Sequence, residues 1–495
     1  MRRMFFFRLL LGKAALLAAV LGEAQAPFDL DPGFQTPFMT TGSGLGVNSV
    51  LPLPDGDVIV SGPIKFSGDP SARAGGRLNS DGTRDLAFAE YPLLGGKLIP
   101  WNGRIYAGNG LGVRRLWMDG TLDPDFDMAG SPYFAAGQGG DYHVYPDGRV
   151  LMSGFHDLYD TIRGYVGGYS LIWFQNTGYV DTTAHHRNCN GVIYRFEPQP
   201  DGKFVCSGWQ TTYEGQAVHQ IFRVQPDGAL DTTFQTDFTW GEANDFTVLD
   251  DGRIITSGYL KRDGLPDTLR LIRMLPDGTL DPTFNNALRA PDEHFGEFGY
   301  LGHTVLPDGR IAIHGNFFQV DGQPRSGIAI LDTDGNLLAD AFVGGGCEVY
   351  SDPPFSWRNT VGMTQAPDGS WYIHGSYSGY DDGTNNYPNQ RFVSRLYGLD
   401  VGVEESHLAA GNGHLAVAPN PANTFTHLAA VLPEGMDEAK LRVLDPLGRL
   451  VLEQVATGSV IAIDLDTRQL AGGIYSVALS NGAYLLGITR FEIIH

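Results

Sequence analysis

Residues 274–285 read MLPDGTLDPTFN, a Pro-Asp-Gly triplet followed by an alternating apolar and acidic tail, and variants of this stretch recur along the chain. In such a triplet Pro presets φ for the first turn position, Asp bonds its own backbone, and Gly takes the positive φ that closes a short hairpin. Two kinds of turn alternate. The first kind begins LPDGDVIVSG at Leu53, PWNGRIYAGNG at Pro100, YPDGRVLMSG at Tyr145, QPDGKFVCSG at Gln199, LDDGRIITSG at Leu249, LPDGRIAIHG at Leu306 and APDGSWYIHG at Ala366. The second kind carries the tail, as in RLNSDGTRDLAF at Arg77, RLWMDGTLDPDF at Arg115, WFQNTGYVDTTA at Trp173, RVQPDGALDTTF at Arg223, RMLPDGTLDPTF at Arg273 and ILDTDGNLLADAF at Ile330.

Both turns read as hairpin tips, and β-branched and aromatic runs such as Arg253-Ile254-Ile255-Thr256-Ser257-Gly258 follow the first as strands. The turn glycines of the first kind lie 45 to 60 residues apart. Two hairpins in that length predict four antiparallel strands per unit, the size of a propeller blade. Seven first-kind turns predict a seven-bladed β-propeller. The seventh tail is split: FDLDPGF (28–34) matches its end, and RFVSRLYGLD (391–400) matches its beginning. The N-terminal segment is therefore expected to supply the outermost strand of the last blade, leaving no open edge.

At 495 residues and 42% hydrophobic, the chain has enough apolar content for more than one folded domain, and 66 Gly with 29 Pro suit many short strands joined by turns. The start, MRRMFFFRLLLGKAALLAAVLGEAQA, joins basic residues to a short apolar run and a small-residue triplet, the pattern of a secretory signal cut after Ala26. Removing it takes away four cations and one anion, lowering the formal charge from −22 to −25. Such a charge disfavours nucleic acid or an anionic membrane surface as partner. No later apolar run reaches the length of a membrane span, so no integral membrane segment is expected after signal removal. Three cysteines, Cys189, Cys206 and Cys347, make no disulfide framework, though a Cys189–Cys206 bridge stays open.

Beyond about Asp400 the repeat stops. Residues 401–414 read as a linker, and 415–495 hold alternating strands such as Ala439-Lys440-Leu441-Arg442-Val443-Leu444, expected to form a small Ig-like β-sandwich. The fold class expected for the whole chain is all-β.

The repeat, DGTLDPTF above all, resembles the delta-60 repeat family of bacterial β-propeller-like proteins over residues 27–400. The sequence departs from it at Ala184, which replaces the tail aromatic, and at the sixth tail, which has one extra residue before Phe342. Pro419-Asn420-Pro421, the element Asp445 to Val451, Leu470 to Tyr475 and a terminal apolar strand together resemble the type A C-terminal sorting domain of the type IX secretion system. That resemblance implies passage across the outer membrane through the type IX machinery, with the protein secreted or attached to the outer cell surface.

Catalytic patterns are lacking. His185, His186 and Cys189 share a loop without a second ligand cluster at metal-site spacing, so no metal is expected. The tail aspartates fall one per unit, too dispersed for an acid–base pair, and no cofactor motif occurs. His314 and His374 sit where other units carry Ser61, Ser153, Ser207 and Ser257, which reads as a polar position of the repeat. Alternation of links puts both turn kinds at one end of each blade and every long insertion at the other. The insertions carry Tyr159, Phe295, Tyr350, Trp357, Tyr380, Asp381 and Asp382, the expected ligand face for a carbohydrate or protein partner. The function expected is a non-catalytic exported binder. The alternatives are an extracellular hydrolase or lyase using the same face, or a structural cell-surface or matrix protein.

Overall fold

The computed structural model describes residues 28–397 and 415–494, apart from 37–38, 41, 43, 92–94, 109–111, 293–294, 297, 353–354, 358, 433–437, 445–449, 459 and 482–483. The signal segment with Ala26, the linker 401–414 and most of the Asp445–Val451 element lie outside the described residues. Contacts divide the chain into two units, Met1–Asp400 and Val401–His495. Every named element in the described residues is a β-strand, and no helix among them is long and apolar enough to cross a membrane.

The first unit is propeller-like. Its described residues hold seven antiparallel sheets of three or four strands, each opening with a strand, a first-kind turn and a second strand, besides three short two-stranded hairpins. Sheet 1 is Ser49–Pro52, Val58–Ile64 and Arg73–Leu78; sheet 2 is Leu98–Trp101, Arg104–Gly108 and Val113–Trp117. Sheet 3 is Phe134–Val144, Val150–Asp160 and Tyr165–Phe174; sheet 4 is Val192–Pro198, Phe204–Trp209 and Ile221–Val224. Sheet 5 is Phe238–Val248, Ile254–Arg262 and Leu269–Met274; sheet 6 is Leu301–Val305, Ile311–Gly315 and Ile328–Leu331. Sheet 7 is Asn359–Gln365, Trp371–Asp381 and Asn386–Leu396, with Gly346–Cys347 added beside the end of Trp371–Asp381.

The expected fourth strand is reduced to a single bridge, such as Met274↔Leu280, Val224↔Leu230 or Leu116↔Leu122. The tail itself explains the shortening. Asp281 Oδ1 accepts a hydrogen bond from Thr283 N at 2.9 Å, and Phe284 N donates to Asp281 O at 3.3 Å, so the aspartate folds the chain into a turn. At the preceding tip, Gly278 has φ +93° and its N donates to Leu275 O at 2.9 Å, a conformation in which a Cβ is strained.

The second-kind repeat also explains how neighbours are fastened. Arg273 Nε donates to Asp281 at 2.7 Å, its guanidinium lies 4.7 Å from the Phe284 ring, and Nη1 donates to Thr333 O in the next second-kind tip at 2.7 Å. Arg223 repeats the set with Asp231 at 2.8 Å, Phe234 at 4.6 Å and Pro276 O at 2.8 Å. Arg115 does so with Asp123 at 2.6 Å, Phe126 at 5.1 Å and Asn176 O at 3.0 Å. Burial opposes ionisation of Asp231, yet bonds from Thr233 and Arg223 hold its carboxyl down to about 2. In the split seventh tail Arg395 pairs with Asp31 at 3.6 Å, and Leu30 bridges Leu396.

Apolar clusters occupy the junctions between sheets. One joins Ile255 and Leu271 of sheet 5 to Ile311 and Ile313 of sheet 6, and another joins Val58 and Val60 of sheet 1 to Tyr372 and Val393 of sheet 7. Polar side chains on second strands clip onto the next sheet. Ser61 Oγ accepts from Gly95 N at 2.6 Å, Ser207 Oγ accepts from Ala243 N at 3.0 Å, and Ser257 Oγ meets His303 Nδ1 at 2.8 Å. His314 Nδ1 lies 3.4 Å from Thr360 O, and His374 Nδ1 lies 3.3 Å from Val47 O in the segment leading into sheet 1. Ser153 differs, bonding Asp141 N of its own sheet at 2.8 Å.

The second unit pairs Leu415–Ala418, Phe425–Val431 and Val460–Asp466 in one sheet, and Leu450–Thr457, Glu438–Leu444, Gly473–Asn481 and Tyr484–Ile493 in another. Leu428 of the first and Leu441, Val443, Val477 and Phe491 of the second share one core.

Candidate functional site

Turn tips cluster at one end of each sheet, so the strand 2 to strand 3 links and the connections to the next sheet fall at the other, the link end. Strands run further toward it than the sequence implied. The insertion at Phe155 is the paired extension of Val150–Asp160 and Tyr165–Phe174, in which Tyr159 opposes Val166 and is exposed. Phe295 is also exposed. Tyr350 and Trp357 are backbone partners in the register of a short hairpin, and their side chains lie outside the described structure.

Two expected face residues are internal instead. Trp371–Asp381 continues as a strand where a loop was expected, and its alternation turns Tyr380 inward, fully buried, with its hydroxyl donating to Phe28 O at 3.1 Å. Asp382 is buried too, accepting from Thr384 N at 2.9 Å, Asn385 N at 2.6 Å and Leu30 N at 3.3 Å. Both serve the junction with the N-terminal segment, which explains their residue types without a ligand. Asp381 is partly exposed and accepts from Gly383 N at 2.8 Å.

Aromatic side chains converge elsewhere at the link end. Trp240 lies 5.6 Å from Phe298 and 5.8 Å from Tyr259, and Tyr259 lies 6.2 Å from Phe298. Lys261 Nζ stands 5.4 Å from the Trp240 ring and 5.3 Å from Phe298, within cation–π range. Trp240 and Phe298 are each 48% exposed. Tyr259 hydrogen-bonds Glu242 and Trp209, itself 63% exposed; burial and the Glu242 carboxylate hold the Tyr259 hydroxyl well above its usual range. The cluster thus offers flat apolar faces edged by a cation, a carboxylate and a phenol. Phe298 belongs to an insertion, but Trp209, Trp240 and Tyr259 lie on strand ends and escaped the search for long loops. The sequence signal for Trp209 and Tyr259 is the aromatic after Ser-Gly in CSGW and TSGY, whereas Trp240, in FTWGE, has no such mark.

The other candidates have structural surroundings. His186 is buried, 4.8 Å from the Tyr165 ring, and burial lowers its pKa to about 4. Cys189, Cys206 and Cys347 are buried free thiols.

The repeat matches the family described as domain of unknown function (DUF5122) beta-propeller at residues 199–234, 249–284 and 306–337. Residues 416–490 match the secretion system C-terminal sorting domain. The chain carries a DUF5122 β-propeller domain and a type IX sorting domain. The DUF5122 description names a fold and no activity. No curated protein matches the chain. Among solved structures it is similar to PorZ, an essential bacterial surface component of the type-IX secretion system of Porphyromonas gingivalis, at 12% identity and TM-score 0.28, over 92% of this chain and 82% of that one. A biofilm associated protein BSP domain is similar at 10% identity and TM-score 0.15, over 55% of this chain and 59% of that one.

Proposed function

We propose that the seven sheets are the blades of one closed propeller, that the C-terminal unit is an Ig-like sandwich recognised by the type IX machinery, and that the exported propeller is a non-catalytic carbohydrate binder. Closure is supported by the clips and shared cores that lead from sheet to sheet and from sheet 7 back to sheet 1. The sorting domain supports export through the type IX route, with the protein secreted or held on the outer cell surface.

The observation that carries the binding reading is the half-open Trp240, Tyr259 and Phe298 cluster beside Trp209. Aromatic faces take the apolar faces of sugar rings, while Glu242 and Lys261 offer groups for their hydroxyls. Such large apolar groups left accessible on strand ends contribute little to a core. Glycan-array binding of the full chain tests this. Capture of defined glycans is expected to fall at least tenfold in Trp240→Ala/Phe298→Ala and to persist in Tyr159→Ala. Equal capture by the double variant would remove the assignment.

A further inference from the structure

A second recessed region lies among the first strands of sheets 2, 3 and 4, apart from the aromatic cluster. It is a cavity of about 220 Å³ walled by Gly95, Gly96, Gly139 and Gly140, with Lys97, Asp141 and Arg195 as its charged lining residues among those described. Asp245, bonded to Arg195, stands behind this lining, so the two cations are matched by two carboxylates, of which only Asp141 lines the cavity.

These groups are held in place. Ser153 Oγ accepts from Asp141 N at 2.8 Å, and a Cβ on Gly140 would approach that Oγ to 2.6 Å and Ile193 O to 2.3 Å. Glycine is thus what lets the strand bulge bring Asp141 inward, where its carboxylate is 4% exposed. Lys97 Nζ donates to Asp141 Oδ1 at 3.0 Å and Tyr142 O at 3.4 Å, while Tyr142 returns a bond from its hydroxyl to Lys97 O at 2.8 Å. The Lys97 side chain nonetheless stays 40% exposed. Arg195 Nη2 donates to Asp245 Oδ1 at 3.0 Å, and Nη1 lies 3.5 Å from Asp141 Oδ2, an ion pair without a hydrogen bond. Among the described residues, Nε and Nη1 of the guanidinium fork therefore keep N–H donors in hand, and the Arg195 side chain remains 33% exposed.

A guanidinium with free donors beside an ammonium, both fixed by a buried carboxylate, is the donor set that receives a planar two-oxygen anion. We propose that this cavity binds a carboxylate, supplied by a sugar acid or by a peptide C-terminus, with one oxygen toward Lys97 Nζ and the other toward the Arg195 fork. The cavity is smaller than the roughly 300–1,000 Å³ typical of drug-sized ligands, which suits a single terminal group. The assignment does not depend on the aromatic cluster.

Calorimetric titration of the full chain with galacturonate, N-acetylalanine, galactose and inorganic phosphate tests it. At least one of the two carboxylates is expected to bind, and which of them binds more tightly names the source. Affinity should fall at least tenfold in Lys97→Met and weaken with added salt, and galactose should not bind. Lys97 is exposed enough for that variant to keep its fold, which its melting temperature verifies. Arg195→Gln should abolish binding, and if it fails to fold Lys97→Met decides alone. Failure of both carboxylates to bind the wild-type chain, unchanged affinity in folded Lys97→Met, or phosphate binding more tightly than either carboxylate would overturn the proposal.

Discussion

The two ends of the seven sheets follow different rules. At the turn end the same chemistry recurs: Asp and Gly shape the tip, Asp of the tail bends the chain, and Arg joins that Asp, the tail Phe and the neighbouring tip. At the link end each unit differs, with a long hairpin in sheet 3, an aromatic cluster beside sheet 5 and a buried junction in sheet 7. The contrast separates a repeated fastening from ends that differ unit by unit. Repetition at one end fixes the scaffold, leaving the other free to vary.

The sharpest way to break the turn end is Arg273→Ala. It removes the nearer guanidinium of buried Asp281, which keeps Arg253 at 3.4 Å, together with the bond to Thr333 O, and is expected to destabilise the first unit by about 2–3 kcal/mol in denaturant unfolding. A loss under about 1 kcal/mol would mean that the repeated pair does not fasten neighbouring sheets. The N-terminal segment pairs with the end of Asn386–Leu396 in sheet 7 and is covered by Tyr380, and there Phe28 is buried 4.9 Å from Phe342. Phe28→Ala should cost about 3 kcal/mol in the same measurement. Unchanged stability would detach that segment from the fold.

Titration sharpens the comparison with opposite signs. The tail carboxylates Asp231 and Asp281 lie below their ordinary value, so their stabilising contribution is present above about pH 4 and is lost as pH falls through their folded values. Glu197 on the first strand of sheet 4 goes the other way, raised from 4.5 to about 7 mainly by burial. The folded state then holds the proton more tightly than the unfolded one, so stability falls as pH rises from about 4.5 to 7. Glu197→Gln should flatten that decline in melting temperature between pH 5 and 8. An identical slope in the variant would refute the assignment.

The smallest expected stability effects belong to the open part of the link end. Trp240→Ala/Phe298→Ala should change stability by about 1 kcal/mol or less, and Tyr159→Ala by under about 0.5 kcal/mol, since their rings keep much of their water contact. Circular dichroism melting checks both. A large loss would reclassify the aromatic cluster as core.

The repeat's local meaning was readable because a hairpin tip is decided within a few residues: Pro276, Asp277 and Gly278 set the turn wherever they occur. The split tail was equally readable, since FDLDPGF and RFVSRLYGLD each carry half of one pattern. Strand length was not. Asp281 folds the tail into a turn after one bridge, whereas Trp371–Asp381 runs on through residues that resemble a loop, so Tyr380 and Asp382 became internal.

By itself, then, the sequence determined an all-β chain of repeated hairpins with a distinct C-terminal sorting domain, because turn chemistry and apolar alternation are local properties. Only the tertiary structure decided which side chains meet. Trp209 of sheet 4, Trp240 and Tyr259 of sheet 5 and Phe298 of the insertion after it meet across units, as do Lys97, Asp141 and Arg195. Side chains so far apart along the chain converge only through packing between sheets, which no local pattern records.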